Sequence, residues 1–370
     1  MKRVYNFSAG PSALPLEVLQ EVQRDMLDYA DTGMSITEMS HRSKAFEAVN
    51  DEIEASLREL LNVPDNYYIL FVQGGASQQF AAVPLNLLGK NNKADYVLTG
   101  NFSTKSYEEA SRFGDIHVAA SSKDENFTYI PRKFDIRPDA QYLHICTNNT
   151  IFGTRYNFLP KTDVPIVADM SSEILSRVIN VSDYAVIYAG AQKNVAPAGV
   201  TIVIARKDLV DDKDNQLSCC PTMLKWSVQA ANKSLYNTPP CFSMYVAMLV
   251  FRHLKKIGGV KAMEEINNKK AALLYDFIDN SKLFKNYVRK EDRSIMNVPF
   301  VTGNAELDAK FVKEATEHGL CTLKGHKLVG GMRASIYNAM PVEGIKALVE
   351  FMAKFEREND IISRVRGRII

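Results

Sequence analysis

The sequence of 370 residues has almost no net charge, few cysteines and no long apolar segment. Its 45 lysines and arginines nearly balance 43 aspartates and glutamates, so the net charge of +2 predicts no attraction to nucleic acid or to an anionic membrane. The five cysteines lack C-x-x-C spacing, which favours free thiols in a reducing compartment over disulfides or a metal site. Without a signal peptide or an apolar run of membrane-spanning length, we expect a cytoplasmic protein.

The patterns G-x4-G-K-[ST] and G-x-G-x-x-G are also absent, which argues against a bound di- or triphosphate. A simpler anion site is predicted where the apolar strand 68–72 is followed by a turn of small residues at 73–77 and a helix from Gln78. Free N–H groups at a helix start can face an anion, so this pattern fits a single phosphate group. The alternative is a Gly-Gly turn that serves only as a tight connection.

Lys193 lies between two short apolar segments, 184–188 and 199–205, that are predicted to be buried strands. The residues around this lysine are small and nearly uncharged. Such surroundings can lower the pKa of an amine enough for it to act as a nucleophile. The alternative is a solvated lysine in a turn.

Asp169 ends a third apolar segment, 165–169, that is also predicted to be a strand. Ligands of open α/β sheets bind outside the carboxyl ends of the strands, where Asp169 would face Lys193. Pyridoxal phosphate needs such a pair, a lysine for its Schiff base and a carboxylate for its ring nitrogen. The alternative for Asp169 is a cap on the turn that begins at Ser171.

Alternating helical and strand patterns predict an α/β fold with a doubly wound, mostly parallel sheet. An amphipathic helix is predicted from Lys44 to Leu61 with Ser43 as its cap. The predicted sheet strands are 68–72, 94–99, 115–119, 141–146, 164–169, 184–188 and 199–205. A helix over 242–256 precedes a smaller α+β domain with helices over 260–280, 306–318 and 342–358 and strands near 286–301 and 320–338. At this length two domains are expected, a large one over 16–256 and a small one formed by 1–15 and 257–370.

Several longer motifs occur in one order along nearly the whole chain: NFSAGP (6–11), MSHR (39–42), QFAAVP (79–84), VADMSS (167–172), YAGAQKN (188–194), YNTPP (236–240) and GGMRASIYNA (330–339). In these motifs the chain resembles the phosphoserine aminotransferases of the class-V aminotransferase family. The resemblance implies the pyridoxal-phosphate-dependent fold type I, with Lys193 as the Schiff-base lysine and Asp169 at the pyridine nitrogen. The other cofactor contacts it implies are Ala76, Ser77 and Gln192 at the phosphate, Thr150 at the ring hydroxyl, Phe102 on the ring, and Asn237 and Thr238 from the neighbouring subunit.

The resemblance also implies a homodimer with two shared sites. The substrate contacts it implies are Arg333 at the α-carboxylate, His326 and Lys327 at the distal anion, and His41 and Arg42 from the neighbouring subunit. A planar guanidinium suits the carboxylate because it can donate two parallel hydrogen bonds. The alternatives are a surface arginine at 333 and a solvated basic pair at 326–327.

The implied reaction exchanges the amino group between 3-phosphoserine and 2-oxoglutarate, giving 3-phosphooxypyruvate and glutamate in serine biosynthesis. A second implied substrate is 4-phosphohydroxythreonine, in pyridoxine biosynthesis. Four positions depart from the family pattern, and they bear on substrate affinity more than on reaction type. They are Phe102 where tryptophan is common, Ser77 and Lys327 where arginine is common, and Ala9 where serine is common.

Three other functions share some of these features. An alanine-glyoxylate-type aminotransferase would have Lys193 and Asp169 without the anion-binding set, and a cysteine desulfurase would need a loop cysteine, for which Cys321 is the candidate. A non-catalytic sensor of a phosphorylated ligand could retain the fold. The tail 361–370 alternates apolar residues with arginines, which predicts an added strand or a disordered end.

Overall fold

The computed structural model describes the backbone of residues 3–366 and the side chains of residues 3–359. In this part of the chain no helix is both long enough and apolar enough to cross a membrane. All five cysteines are free thiols, as their number and spacing predict.

The seven predicted sheet strands form one sheet. After a short strand β1 (Tyr5–Asn6), which lies outside it, these strands are β2 (Tyr67–Val72), β3 (Lys93–Leu98), β4 (Asp115–Ser121), β5 (Leu143–Cys146), β6 (Ile166–Asp169), β7 (Val186–Gly190) and β8 (Thr201–Arg206). Their order across the sheet is β2-β8-β7-β6-β5-β3-β4, and β8 alone runs against its neighbours. The mostly parallel sheet is confirmed, and the carboxyl ends of β5, β6 and β7 lie side by side.

Helices cover both faces of this sheet. They are α1 (Leu16–Asp25), α2 (Lys44–Leu61), α3 (Gly75–Leu87), α4 (Asn101–Ala110), α5 (Lys207–Asp211), α6 (Trp226–Ala231) and α7 (Cys241–Lys256). Residues of α2 and α7 pack on one face and residues of α3 and α4 on the other, because alternate residues of a buried strand point to opposite faces. Ser43 accepts a hydrogen bond from Phe46 N at 3.2 Å, which confirms the predicted cap of α2.

The last third of the chain forms a second hydrophobic core. Its elements are α8 (Gly259–Asn280), β9 (Asn297–Phe300), α9 (Ala305–Glu317), β10 (Leu320–Cys321), β11 (Met332–Ser335) and α10 (Val342–Arg366). The strands form two small sheets, one in which β9 and β11 are antiparallel and one in which β1 and β10 are parallel. Since α8 contributes Met263 to the core of the large sheet and Leu274 to the second core, it joins the two. The exact domain boundaries remain a prediction.

Three details of the predicted secondary structure need correction. Helix α3 begins at Gly75, not Gln78, because Gly74, at a φ of 86°, already turns the chain and the small residues that follow gave no apolar period. In the region 286–301 only β9 is a strand, and two isolated bridges join Arg293 to Thr154 and Val301 to Lys285. The strands predicted near 320–338 are only two and four residues long.

The prediction of an added strand or a disordered end for the tail is wrong for the part of it whose backbone the structure describes. The backbone of residues 361–366 continues α10, because the apolar stripe of its first turns packs into the second core and an established helix extends at little cost. Residues 367–370 lie outside the described residues.

Candidate active site

A cavity of about 300 Å³ opens at the carboxyl ends of β5 and β6, next to the loop that follows β7. This is the edge at which open α/β sheets bind ligands. Nine of the predicted site residues line it: Ala76, Ser77, Phe102, Thr150, Asp169, Gln192, Lys193, His326 and Arg333. The fold therefore brings together side chains that are up to 257 positions apart in the sequence.

Lys193 lies in the loop between β7 and β8, with its amine inside the cavity. Its Nζ donates to Thr150 Oγ1 at 2.7 Å and lies 5.5 Å from the centre of the Phe102 ring. Burial lowers the pKa of Lys193 to about 8, although the nearby Asp169 favours the charged form. The amine is thus poised to lose its proton near neutral pH, as its surroundings in the sequence predict.

The loop that carries Lys193 is fixed from two sides. On one side, Ser12 N donates to Gln192 O at 3.0 Å and the Ser12 hydroxyl bonds the Lys193 carbonyl. On the other, Asn338 N donates to Asn194 Oδ1 at 3.1 Å. Both anchors are distant in sequence, so the position of the amine depends on the completed tertiary structure.

Asp169 ends β6 and is buried, with an exposure of 5%. Its Oδ1 accepts hydrogen bonds from Ser171 N at 2.9 Å and from Ser171 Oγ at 2.6 Å. Within the described residues, no protein group donates to its Oδ2. Burial raises the pKa of Asp169, while the Ser171 bonds and Lys193 oppose that shift. Asp169 therefore caps the turn, as the alternative interpretation of the sequence predicts, and one of its oxygens is still available to a ligand. Its role at a cofactor stays a prediction.

The start of α3 forms part of the cavity wall. Ala76 and Ser77 lie in its first turn, where backbone N–H groups have no partner within the helix. No acidic residue lies in this turn to compensate the positive end of the helix. A side chain at Gly74 would overlap that of Gln78, so the approach of the chain to this helix start requires glycine. The cavity wall formed by Ala76 and Ser77 suits a phosphate group.

Arg333 reaches the cavity from β11, where it pairs with Pro299 of β9. Its Nη1 donates to Thr150 O at 3.2 Å, and its buried Nε has no partner among the described residues. His326 lies beside it in the loop 322–331, and burial lowers its pKa, assisted by the positive charge of Arg333. Arg333 therefore places a positive charge on the β11 side of the cavity, whose lining has Asp169 as its single carboxylate.

Five predicted site residues do not line this cavity: His41, Arg42, Asn237, Thr238 and Lys327. Arg42, Thr238 and Lys327 are exposed, and Lys327 lines a separate groove against α9. Asn237 Nδ2 donates to Gln73 Oε1 at 3.0 Å, just before the start of α3. The roles of all five remain predictions.

The sequence analysis assigned no role to several residues that the structure places at the cavity. Ser171 and Cys146 line it, and Lys105 contributes positive charge near His326. Lys105 lies one helical turn after Phe102, and Ser171 lies two residues after Asp169. For Lys105 this spacing is the signal in the sequence, whereas Ser171 also belongs to the motif VADMSS (167–172). No group of three or more His, Cys, Asp or Glu side chains in the described residues is placed to hold a metal ion.

The family model for class-V aminotransferases matches residues 4–348. A phosphoserine aminotransferase of Bacillus cereus is 55% identical over 362 residues, which cover 97% of this chain and all of that protein. The structure of phosphoserine aminotransferase from Bacillus circulans subsp. alkalophilus has a TM-score of 0.94 and 46% identity, covering 97% of this chain and all of the other. The PLP-bound phosphoserine aminotransferase of Trichomonas vaginalis has a TM-score of 0.91 and 39% identity, with 95% and 100% covered.

The chain belongs to the class-V aminotransferase family. Within it, the relatives of high identity are phosphoserine aminotransferases, as the resemblance in the sequence motifs predicts. The α/β fold with a mostly parallel sheet is that of these structures. The comparisons give no support to the alternative of a non-catalytic sensor that retains the fold, since the relatives of high identity are aminotransferases.

The titration of Lys193 gives a testable prediction. In the cofactor-free protein we expect reductive methylation of Lys193 to reach half its maximal rate near pH 8, because burial lowers the pKa of this amine to about 8 and the neutral amine is the reactive form. A freely exposed lysine reaches that point near pH 10.4. Mass spectrometry of the peptide that carries Lys193 measures the rate, with Lys193→Arg as the control for peptide assignment. A half-point near pH 10 would show that the amine is solvated.

Proposed function

We propose that this chain is a pyridoxal-phosphate-dependent transaminase that transfers the amino group of 3-phosphoserine to 2-oxoglutarate, in serine biosynthesis. The observation that carries the proposal is the joint placement of the Lys193 amine and the Asp169 carboxylate in one cavity, in a chain 55% identical to a phosphoserine aminotransferase. The products are 3-phosphooxypyruvate and glutamate. The proposal extends to 4-phosphohydroxythreonine, whose phosphate would take the place of that of phosphoserine.

The cavity fits pyridoxal phosphate. Asp169 Oδ2 is available to a protonated ring nitrogen, and the start of α3 with Ala76, Ser77 and Gln192 is available to a phosphate. Phe102 offers an aromatic face and Thr150 a hydroxyl on the same cavity wall as Lys193. When bound, the cofactor supplies a carbonyl for the amino group and a ring that accepts electrons from the substrate.

In this proposal Lys193 first holds the cofactor and then moves the proton of the substrate's Cα. A base is most effective when its pKa lies near the working pH, and the pKa of about 8 meets this condition. Asp169 stays ionised beside the ring nitrogen, which keeps that nitrogen protonated. Arg333 binds the α-carboxylate of either substrate. Its guanidinium lines the cavity, where its Nη1 lies 3.2 Å from Thr150 O.

The distal phosphate of phosphoserine needs several donors, for which we propose His326, Lys327 and, from the neighbouring subunit, His41 and Arg42. His326 lines the cavity, and Lys327 follows it in the same exposed loop. The distal carboxylate of 2-oxoglutarate would use the same cationic groups, since it carries its charge at a similar distance from the α-carbon. The two substrates can therefore alternate in one site.

We further propose a homodimer in which each site takes residues from both chains. Leu27 and Met34 expose 86% and 42% of their surface in the segment before His41, and Tyr236 exposes 45% beside Asn237. Exposed apolar side chains of this kind are typical of an interface. Arg42 and Thr238 are exposed in the single chain and are therefore accessible to a partner.

An assay of glutamate formed from phosphoserine and 2-oxoglutarate tests the function. We expect Lys327→Ala to lower kcat/KM for phosphoserine roughly tenfold, the lower end for a charge-assisted hydrogen bond, since Lys327 is exposed and partly screened. Plain serine should be affected far less because it lacks the phosphate. Lys324→Ala, which removes another exposed lysine of the same loop, is the matched control.

An equal loss for both substrates in Lys327→Ala would place this lysine outside the phosphate site. A wild-type protein that prefers serine or alanine over phosphoserine would overturn the proposed function.

Mixing two inactive variants tests the shared site. Lys193→Ala and Arg42→Ala chains, unfolded and refolded together, should recover roughly a quarter of wild-type activity, because half of random dimers are mixed and each has one intact site. Each variant refolded alone is the control. If mixed dimers form, as shown by differently tagged chains, but stay inactive, each site is built from one chain.

A further inference from the structure

Ser171 forms hydrogen bonds with Asp169 and with the end of β7, the strand that precedes Lys193. It is buried, with an exposure of 7%, and it lines the cavity. Its Oγ lies 2.6 Å from Asp169 Oδ1, and Gly190 N lies 3.1 Å from the same Oγ. Gly190 is the last residue of β7, three positions before Lys193.

The direction of the two hydrogen bonds follows from their chemistry. A backbone N–H can only donate, so the Ser171 oxygen accepts from Gly190. The single hydroxyl proton of Ser171 is then left for Asp169 Oδ1, which also accepts from Ser171 N at 2.9 Å. A hydroxyl that donates to a carboxylate favours the ionised form of the carboxylate. Such a charge-assisted hydrogen bond is stronger than one between neutral groups.

These bonds leave the two oxygens of Asp169 in different states. Oδ1 is held by two donors from Ser171, whereas Oδ2 has no protein donor within the described residues. Rotation of the carboxylate would break both Ser171 bonds, so these bonds hold the orientation of the carboxylate, which lines the cavity. Burial works against this charge, because it raises the pKa of Asp169.

We propose that Ser171 is a positioning residue that fixes the charge and orientation of Asp169 towards the ring nitrogen of pyridoxal phosphate and couples Asp169 to the Lys193 loop through Gly190. This inference rests on the proposed function, since it presumes that the cofactor occupies the cavity. Ser171 itself touches neither the substrate nor the reacting atoms.

The neighbouring Ser172 provides a matched control. It is also buried, at 2% exposure, and it lines the same cavity. Its Oγ donates to Asn148 O and accepts from Asn148 Nδ2, each at 2.8 Å, and makes no hydrogen bond with Asp169. Ser172→Ala therefore removes an equally buried hydroxyl of the same turn without changing the donors to the carboxylate.

The experiment is a pH titration of the visible absorbance of the bound cofactor, in the holoenzymes of wild type, Ser171→Ala, Ser171→Cys, Ser171→Thr and Ser172→Ala. In Ser171→Ala we expect the midpoint to rise by roughly 0.5 to 1 pH unit, part of the shift that one charge-assisted hydrogen bond produces. Without the Ser171 hydroxyl the Asp169 carboxylate is more basic and takes a larger share of the proton of the ring nitrogen. The ring then withdraws fewer electrons, so the Lys193 amine bound to the cofactor keeps its proton to higher pH. Ser171→Thr, which keeps the hydroxyl, and Ser172→Ala should have the wild-type midpoint.

Ser171→Cys keeps the size of the side chain and weakens its donor, so it gives an intermediate shift and replaces Ser171→Ala if that variant does not fold. Equal midpoints in Ser171→Cys, Ser171→Ala and wild type would overturn the role of Ser171 and leave the proposed function intact. Equal shifts in the Ser171→Ala and Ser172→Ala proteins would reduce Ser171 to a packing residue. A wild-type protein with no cofactor absorbance would instead overturn the proposed function, and this inference with it.

Discussion

The burial of one amine, Lys193 Nζ, is the constraint on which the site depends. The side chain of Lys193 is half-buried, and its amine loses part of the hydration of its charge inside the cavity, which is why the pKa of Lys193 falls to about 8. The structure offsets this cost with few groups, the Thr150 hydroxyl at 2.7 Å and the nearby carboxylate of Asp169. An amine held this way is both reactive and oriented, the two properties that covalent chemistry with a carbonyl requires.

Both hydrophobic cores support residues of the cavity that holds this amine. The large sheet supplies Asp169 and the start of α3, while the second core supports β11 and thereby Arg333. The amino-terminal segment closes the arrangement, since Ser12 contacts the Lys193 loop and Tyr337 Oη donates to Ala9 O at 2.8 Å. If the two cores shifted relative to each other, the distance between the Lys193 amine and the Arg333 guanidinium would change. The positions of the two cations in the cavity therefore depend on how the cores pack.

The sequence predicted those parts of the fold whose causes are local. Apolar runs with β-branched residues identified all seven sheet strands, and Ser43 before a three-four periodicity identified α2. Lys193 and Asp169 were predictable because each interrupts or ends such a run. The early start of α3 was not predictable from periodicity, since residues 75–77 are too small to form an apolar stripe.

Contacts between distant segments were beyond local reasoning. Lys270 illustrates this, because a lysine in a charged helix is normally solvated, yet here it is fully buried and donates to three carbonyls, of Ile336, Tyr337 and Met340. The link from Ser171 to Gly190 likewise depends on the pairing of β6 with β7. The family motifs predicted the site residues one by one. The residues that lie next to them in space could not be predicted from spacing in the sequence.

The most direct test of the central claim is borohydride reduction of the protein incubated with pyridoxal phosphate, followed by peptide mass spectrometry. Reduction fixes the cofactor to the amine that carries it, so the label identifies the reactive lysine without an assay of turnover. The account predicts one label per chain, on Lys193, and none there in Lys193→Ala. A label on another lysine of the wild-type protein, or no label at all, would contradict it.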